Sequence, residues 1–244
     1  MIYEEFYAEA KRLFALNGEL VEMPSDDQIA SLYDLTELML EVNKSLNLTT
    51  ITNCSQILLK HYIDSLTVSK YLPMGARIID IGCGAGFPTL PLAIMRPDLD
   101  ITALDATAKR IRYVESAAAQ LGLSNVRAVA ARAEEFVNAG NRESFDFALA
   151  RAVAELATLS ELCLGFVKVG GQFISMKGQR GEEELEGARH AIKLCGGTPS
   201  EVIRADLTEN GEDFESRRLI ITKKVETTPK IYPRAFAKIS KKPL

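Results

Sequence analysis

Residues 77–87 read RIIDIGCGAGF. An apolar run (Ile78, Ile79, Ile81) carries one acid, Asp80. It breaks into Gly82-Cys83-Gly84-Ala85-Gly86 ahead of a helix-like segment, Phe87 to Met95. Strand, glycine loop and helix in this order are how α/β proteins hold a nucleotide-like ligand. The spacing narrows the choice. A dinucleotide fingerprint is G-x-G-x-x-G, with its third glycine five positions after the first. Here the third glycine comes four positions after the first, and the loop has no lysine to neutralise phosphates.

Outward from this loop the pattern alternates between strand and helix periods. Strands are expected at 77–81, 100–105 (DITALD), 125–130 (NVRAVA), 145–150 (FDFALA), 171–176 (GQFISM), 201–204 and 217–223 (RRLIITK). Helices are expected between them at 87–95, 108–121, 133–138, 154–167 and 182–195. Repeated βα units imply a mainly parallel sheet with helices on both faces. The last two strands have no long helix between them, which lets them pair antiparallel at one edge.

The chain before Arg77 reads as helical. Tyr3, Phe6, Tyr7, Ala10, Leu13 and Phe14 share one helical face that ends near Asn17-Gly18. Ser25-Asp26-Asp27-Gln28 is a capping box. It opens a helix with apolar positions at Ile29, Leu32, Leu35, Met39, Val42 and Leu46, broken by 46–50 (LNLTT). A further helix is expected through KHYIDSLTVSKYL (60–72), stopping before Pro73. The expected organisation is an N-terminal helical segment, 1–72, packed on the core; a ligand-binding α/β domain, 73–226; and a basic tail, 227–244, with Pro229, Pro233 and Pro243.

The 244 residues are 47% hydrophobic and 25% charged, enough for one large α/β domain with an appendage. No apolar run approaches the roughly 20 residues of a membrane span. The acidic, amphipathic start is unlike a signal peptide. Cys54, Cys83, Cys163 and Cys195 never form C-x-x-C, and there are two histidines, so no metal site is expected. A reducing, cytoplasmic setting follows most simply. Charge is uneven. Lys223, Lys224, Lys230, Arg234, Lys238, Lys241 and Lys242 stand against Glu226 alone. That is a net +6 on 223–244, leaving −10 on the first 222 residues of a chain whose total is −4. A basic tail on an acidic body suits a polyanion partner, or is simply a solvated end.

Several residues fall where strands deliver ligand contacts. Asp105 ends the second strand, 19 residues beyond Gly86, placed to accept from both ribose hydroxyls of a nucleoside. The plainer reading is an acid at a helix N-terminus. After the third strand, the N–H near Ala133 and the acid Glu134 either read an adenine edge or decorate a first helical turn. Arg151 ends the fourth strand and can bind a carboxylate or a phosphate, or form a surface ion pair. Lys177 and Gly178 hold a similar position after the fifth. His61 and Asp64 share a helix face at i and i+3, either as an acid–base pair or as a brace against the glycine loop.

The spacing G-x-G-x-G resembles the first motif of S-adenosylmethionine-dependent methyltransferases, whose ligand is a nucleoside with an amino-acid tail. Against that background the chain has no D-P-P-Y or N-P-P-F after its fourth strand, as enzymes acting on exocyclic amino groups carry. It also has no Pro-Cys nucleophile for pyrimidine C6. A target that is already nucleophilic fits both absences. Guanine N7 has an in-plane lone pair and no proton to remove, so alignment matters more than a general base.

A longer resemblance joins these pieces. LNLTTIT (46–52), KHYIDSL (60–66), DIGCGAGFPTLPLAI (80–94), LDATAKRIRYV (104–114), ARAEEF (131–136), ARAVAEL (150–156), MKGQ (176–179) and a basic tail with YPR and KKPL resemble the RsmG (GidB) family of bacterial 16S ribosomal RNA methyltransferases. The resemblance implies a class I, Rossmann-like methyltransferase fold with a seven-stranded sheet. It implies methyl transfer from S-adenosylmethionine to N7 of a guanosine in 16S rRNA. By position in the family's pattern, Gly82, Gly84, Phe87, Ala133, Glu134 and Arg151 would contact the cofactor and Asp105 the ribose. No catalytic acid or base is assigned. The expected partner is 16S rRNA or the small ribosomal subunit, and the expected state is a monomer without metal or membrane contact. Cys83 replaces the more usual serine or threonine, and the tail lacks a Gly-Thr-Pro between YPR and the last lysines. The alternatives are another RNA or small-molecule methyltransferase, an NAD-dependent or regulatory nucleotide-binding protein, and a non-enzymatic RNA-binding module.

Overall fold

Ile78, Ile79 and Ile81 are all buried although neighbours in a strand point to opposite faces, so the sheet around them must be covered on both sides. The computed structural model describes residues 1–198 and 200–244 and places this run as β1 (Arg77–Ile81) near the middle of a seven-stranded sheet. With β2 (Asp100–Asp105), β3 (Val126–Ala130), β4 (Phe145–Arg151), β5 (Val167–Lys177), β6 (Glu201–Arg204) and β9 (Arg218–Lys223), the order is β3-β2-β1-β4-β5-β9-β6. The β1–β2, β1–β4, β2–β3 and β4–β5 pairs are parallel; β9 runs antiparallel to both neighbours. This is the expected fold class, with the N-terminal helices present.

One detail goes beyond the expectation. β6 and β9 do pair antiparallel, but β9 lies inside and β6 forms the edge. The reason is composition. Leu219, Ile220 and Ile221 of β9 are buried, whereas β6 exposes Glu201 and Arg204, charges that suit an edge. A short hairpin, β7 (Leu207–Thr208) with β8 (Phe214–Glu215), went unread between them because its strands are too short to show a period.

Two apolar layers cover the sheet. On one face lie the N-terminal helices Tyr3–Leu16 and Asp26–Leu46 with Thr89–Met95 and Ala108–Gln120. On the other lie Leu156–Cys163, Gly181–Leu194 and the C-terminal helix Phe236–Lys241. The capping box is formed on both sides: Gln28 N–H donates to Ser25 Oγ (3.2 Å) and Ser25 N–H to Gln28 Oε1 (2.9 Å). Asn47 closes that helix in the left-handed region (φ 49°). The helix expected at 60–72 begins earlier, because Asn53 caps Cys54–Ile57 by accepting from Gln56 N–H. It widens over Leu58–Ile63, ends at Leu66, and leaves only a short turn at Ser69–Tyr71. Among the described residues no helix is long and apolar enough to cross a membrane.

Asn17, which ends the first helix, also ties it to the hairpin. Its amide nitrogen donates to Leu13 O (2.9 Å) and Thr208 O (2.8 Å), and its oxygen accepts from Thr208 N–H (3.0 Å). Asn17→Ala leaves buried backbone groups of Thr208 unpaired and should lower stability by about 1–3 kcal/mol. Urea denaturation reads this directly, and a change below about 0.5 kcal/mol would refute it.

Candidate active site

Strand order reverses between β1 and β4, and in open α/β sheets ligands bind outside the carboxyl ends of the strands at that point. The glycine loop sits there. Gly82 N–H and Cys83 N–H both donate to Leu104 O (2.7 and 3.1 Å), tying the loop to the end of β2. Gly82 has φ +73°, and a Cβ there would lie 2.6 Å from Val153 Cγ2. Gly84 has φ +56° but nothing nearer than Gly82 O at 3.9 Å, so only its backbone conformation calls for glycine.

Asp105 holds this loop in shape. Its Oδ2 accepts from Gly84 N–H (3.0 Å) and its Oδ1 from Thr107 N–H (2.7 Å). Each carboxylate oxygen has two lone pairs, so capacity for ligand hydroxyls remains. A cavity of ≈ 160 Å³ brings together Gly82, Asp105, Ala133 and Glu134, with Val153 and Phe236 also in its wall. Gly84, Phe87 and Arg151 do not line it. A larger hollow of ≈ 800 Å³, beside Arg189, His190 and Lys193, lies away from the glycine loop and contains none of the candidate residues.

Phe87 and Arg151 belong to a second cluster. The His61 ring stacks on Phe87 (4.6 Å between centroids, 11° between planes), and the Arg151 guanidinium lies over the same ring at 5.4 Å. Arg151 Nη1 donates to Lys60 O (2.8 Å) and Asp64 Oδ2 (2.9 Å), while Asp64 Oδ1 accepts from Arg217 Nε (3.2 Å). Asp64 therefore pairs with two arginines, and no hydrogen bond joins it to His61. Of the two readings of the KHYIDSL segment, the contacts match the brace. Burial, aided by the Arg151 charge, pushes the His61 pKa down to about 4, so its ring is neutral at pH 7. Nε2 meets Thr49 Oγ1 at 2.8 Å, and Nδ1 is buried without a partner among the described residues. Lys177 is committed elsewhere: its Nζ donates to Ala154 O (2.5 Å) and pairs with Glu184 (2.7 Å). Cys83 is buried and its thiol pushed well up by desolvation, which leaves it inert as a nucleophile.

Sequence reasoning assigned no role to Asp80, although an acid inside an apolar strand just before the glycine loop was the visible signal. It is 1% exposed. Thr89 Oγ1 donates to its Oδ2 (2.6 Å), but Oδ1 is buried with no partner among the described residues. Burial pushes its pKa up to about 6 against the lowering effect of the Thr89 bond and the Arg151 charge. An unpaired carboxylate oxygen beside a glycine loop is suited to a cationic group.

The tail also differs from a free arm. Lys224 is fully buried, with Nζ on Leu164 O (2.6 Å) and paired with Glu143 (3.4 Å). Arg234 pairs with buried Glu161. Lys223, Lys230, Lys238, Lys241 and Lys242 remain exposed.

A family model described as rRNA small subunit methyltransferase G (GidB) matches residues 28–210, well over half of the chain. The chain belongs to that family. It is 44% identical over 222 residues to the Ribosomal RNA small subunit methyltransferase G of Staphylococcus haemolyticus, covering 90% of this chain and 91% of that one. It is 43% identical over 212 residues to the protein of the same name from Clostridium novyi, covering 85% and 86%. Solved structures share the fold at low identity. A precorrin-6y C5,15-methyltransferase from Geobacter metallireducens has a TM-score of 0.53 at 19% identity, covering 75% of this chain and 92% of that one. A SAM-dependent methyltransferase from Aquifex aeolicus has a TM-score of 0.53 at 14% identity, covering 78% and 98%. The family match spans the glycine loop, Asp105, Glu134 and Arg151 alike.

Proposed function

We propose that this chain transfers a methyl group from S-adenosylmethionine to N7 of a guanosine in 16S ribosomal RNA. Family membership supports the reaction class, and the relatives' name supports the ribosomal substrate. The observation that carries the cofactor is the unpaired, buried Asp80 Oδ1 beside a glycine loop that opens into a cavity lined by Asp105 and Glu134. These residues fit the group. Asp80 would hold its ammonium, Asp105 the ribose hydroxyls, and Ala133 N–H with Glu134 the adenine edge. Arg151 would face the carboxylate of the amino-acid tail.

S-adenosylmethionine, when bound, supplies an electrophilic methyl group on a cationic sulfur. The chain's own task is then alignment. Guanine N7 presents its lone pair without losing a proton, so no general base is needed, and the neutral His61 serves by packing on Phe87. The decisive assay is transfer of tritium from labelled S-adenosylmethionine into 16S rRNA, with mass mapping of the product. Label on N7 of one guanosine is expected; label on another base, or none with free rRNA or small subunits, would overturn the proposal.

Asp80 makes cofactor affinity pH-dependent. With its pKa near 6, the carboxylate is ionised at pH 7 and mostly protonated at pH 5, so affinity for S-adenosylmethionine should fall by about tenfold between them. The folding contribution has the other sign. The stability of the neutral form is present below the ordinary value near 4 and is lost as pH rises through 6. Calorimetric titration at both pH values checks the affinity change, and Asp80→Asn should flatten it. An unchanged slope in that variant would place the titrating group elsewhere.

A further inference from the structure

Phe236 is an aromatic residue 37% exposed at the mouth of the cavity that holds Gly82, Asp105, Ala133 and Glu134. It begins the six-residue helix Phe236–Lys241. Its N–H donates to Glu134 Oε1 (3.3 Å), and the Arg132 guanidinium lies over its ring at 5.5 Å. The segment is anchored from behind by buried Ile239 and by Arg234 on Glu161. The cavity is ≈ 160 Å³, below the roughly 300–1,000 Å³ typical of ligand pockets. A nucleoside seated there extends beyond the enclosed part, toward Phe236 at the mouth. Gly82 follows β1, Asp105 ends β2 and Ala133 opens the helix Ala133–Phe136, and backbone hydrogen bonds tie each stretch to its neighbours. Phe236 sits on a short helix with its ring half in solvent. The same segment carries Lys238, Lys241 and Lys242, exposed and without an ion pair among the described residues.

We propose that Phe236 is a further cofactor-contacting residue, carried on a movable outer wall that RNA phosphates draw closed through Lys238, Lys241 and Lys242. The ring swings out to admit the adenosine moiety and then packs against the purine face. Glu134 links the two events, because the carboxylate suited to adenine is the one that holds the Phe236 amide. Phosphates on the three lysines hold the first turn of this anchored helix, and with it the ring, inward, so RNA binding and cofactor retention reinforce each other. This rests on the cofactor reading above.

The chain contains no tryptophan, so Phe236→Trp places a single fluorophore on the wall. Titration with S-adenosylhomocysteine should change its emission saturably. Phe236→Ala should weaken S-adenosylhomocysteine binding by about tenfold, the loss of one aromatic–base stack, while its melting temperature stays near that of wild type. A 16S rRNA substrate should tighten the wild-type affinity by about fivefold or more. The Lys238→Gln, Lys241→Gln, Lys242→Gln triple variant should bind the ligand normally without RNA and lose that tightening. A silent tryptophan together with wild-type affinity in Phe236→Ala overturns the Phe236 contact. Wild-type affinity that ignores RNA, or tightening retained in the triple variant, overturns the closing role of the lysines. A wild-type chain that binds no S-adenosylhomocysteine at all sinks the cofactor reading and this proposal together.

Discussion

Arg234→Met is expected to lower the unfolding free energy by about 3–5 kcal/mol. Its partner Glu161 is 0% exposed. Arg234 meets both carboxylate oxygens, with Nε on Oε1 (2.8 Å) and Nη2 on Oε2 (2.6 Å), and its own backbone N–H adds a third bond to Oε1 (2.8 Å). A two-pronged contact of this kind is the strong form of an ion pair. Removing the guanidinium leaves a buried carboxylate with one backbone donor, and the uncompensated charge accounts for most of the loss. Adding Glu161→Leu to Arg234→Met should restore most of it, since a matched apolar pair carries no desolvation penalty. Urea denaturation of both variants decides the matter; a single-variant loss under about 1 kcal/mol would mean that the pair contributes little. The same contact bears on tail truncation. Cutting the chain at Thr227 would remove Arg234, Ile239 and the buried Thr228, so lost RNA binding in a truncated protein would report unfolding as much as lost lysines. Charge-neutralising changes at Lys238, Lys241 and Lys242 separate the two.

Gly82→Ala should reduce kcat/KM for methyl transfer by more than about 100-fold. The added methyl lies 2.6 Å from Val153 Cγ2 on a backbone at φ +73°, at the wall of the ≈ 160 Å³ cavity. Either the loop or Val153 must move, and a displacement of about 1 Å in a positioning element is enough for a loss of that order. Gly84→Ala is the matched control. It has a similar φ of +56° but no neighbour nearer than 3.9 Å, so it incurs only backbone strain of about 1–2 kcal/mol. Val153 is 40% exposed and free to be trimmed. Gly82→Ala with Val153→Ala should therefore regain part of the activity. Equal losses in Gly82→Ala and Gly84→Ala, with no rescue by Val153→Ala, would show that the contact with Val153 is not what glycine avoids.

Part of the candidate site was legible in the sequence as a set of neighbours. Gly82, Asp105, Ala133 and Glu134, picked out from strand ends and glycine spacing, line one cavity. Their positions follow from local rules: the strand period places the last residue of each strand at the sheet's carboxyl edge, and the loop spacing sets the turn. Arg151 and Phe87 were picked out by the same logic, but their neighbours were not. That Arg151 lies over Phe87, pairs with Asp64 and reaches Lys60 O could not be read from either segment alone, because even its hydrogen-bond partners are 87–91 residues away along the chain. The basic tail shows the reverse case. Its charge was plain, and a polyanion partner was a fair inference, yet Lys224 and Arg234 are structural cations inside the molecule. Composition counts charges without distinguishing one that meets water from one that meets a buried carboxylate.

By itself the sequence determined the βα alternation, the capping box at Ser25, the shortened glycine loop and the family, because hydrophobic period, turn chemistry and motif spacing act over a few residues. Only the tertiary structure decided that β9 lies between β5 and β6, that Asp80 keeps an unpaired oxygen at the loop, and that Phe236 stands at the mouth of the cavity 102 residues from Glu134. Each of these depends on which distant surfaces meet and exclude water. That is settled by packing the whole chain, and no local pattern records it.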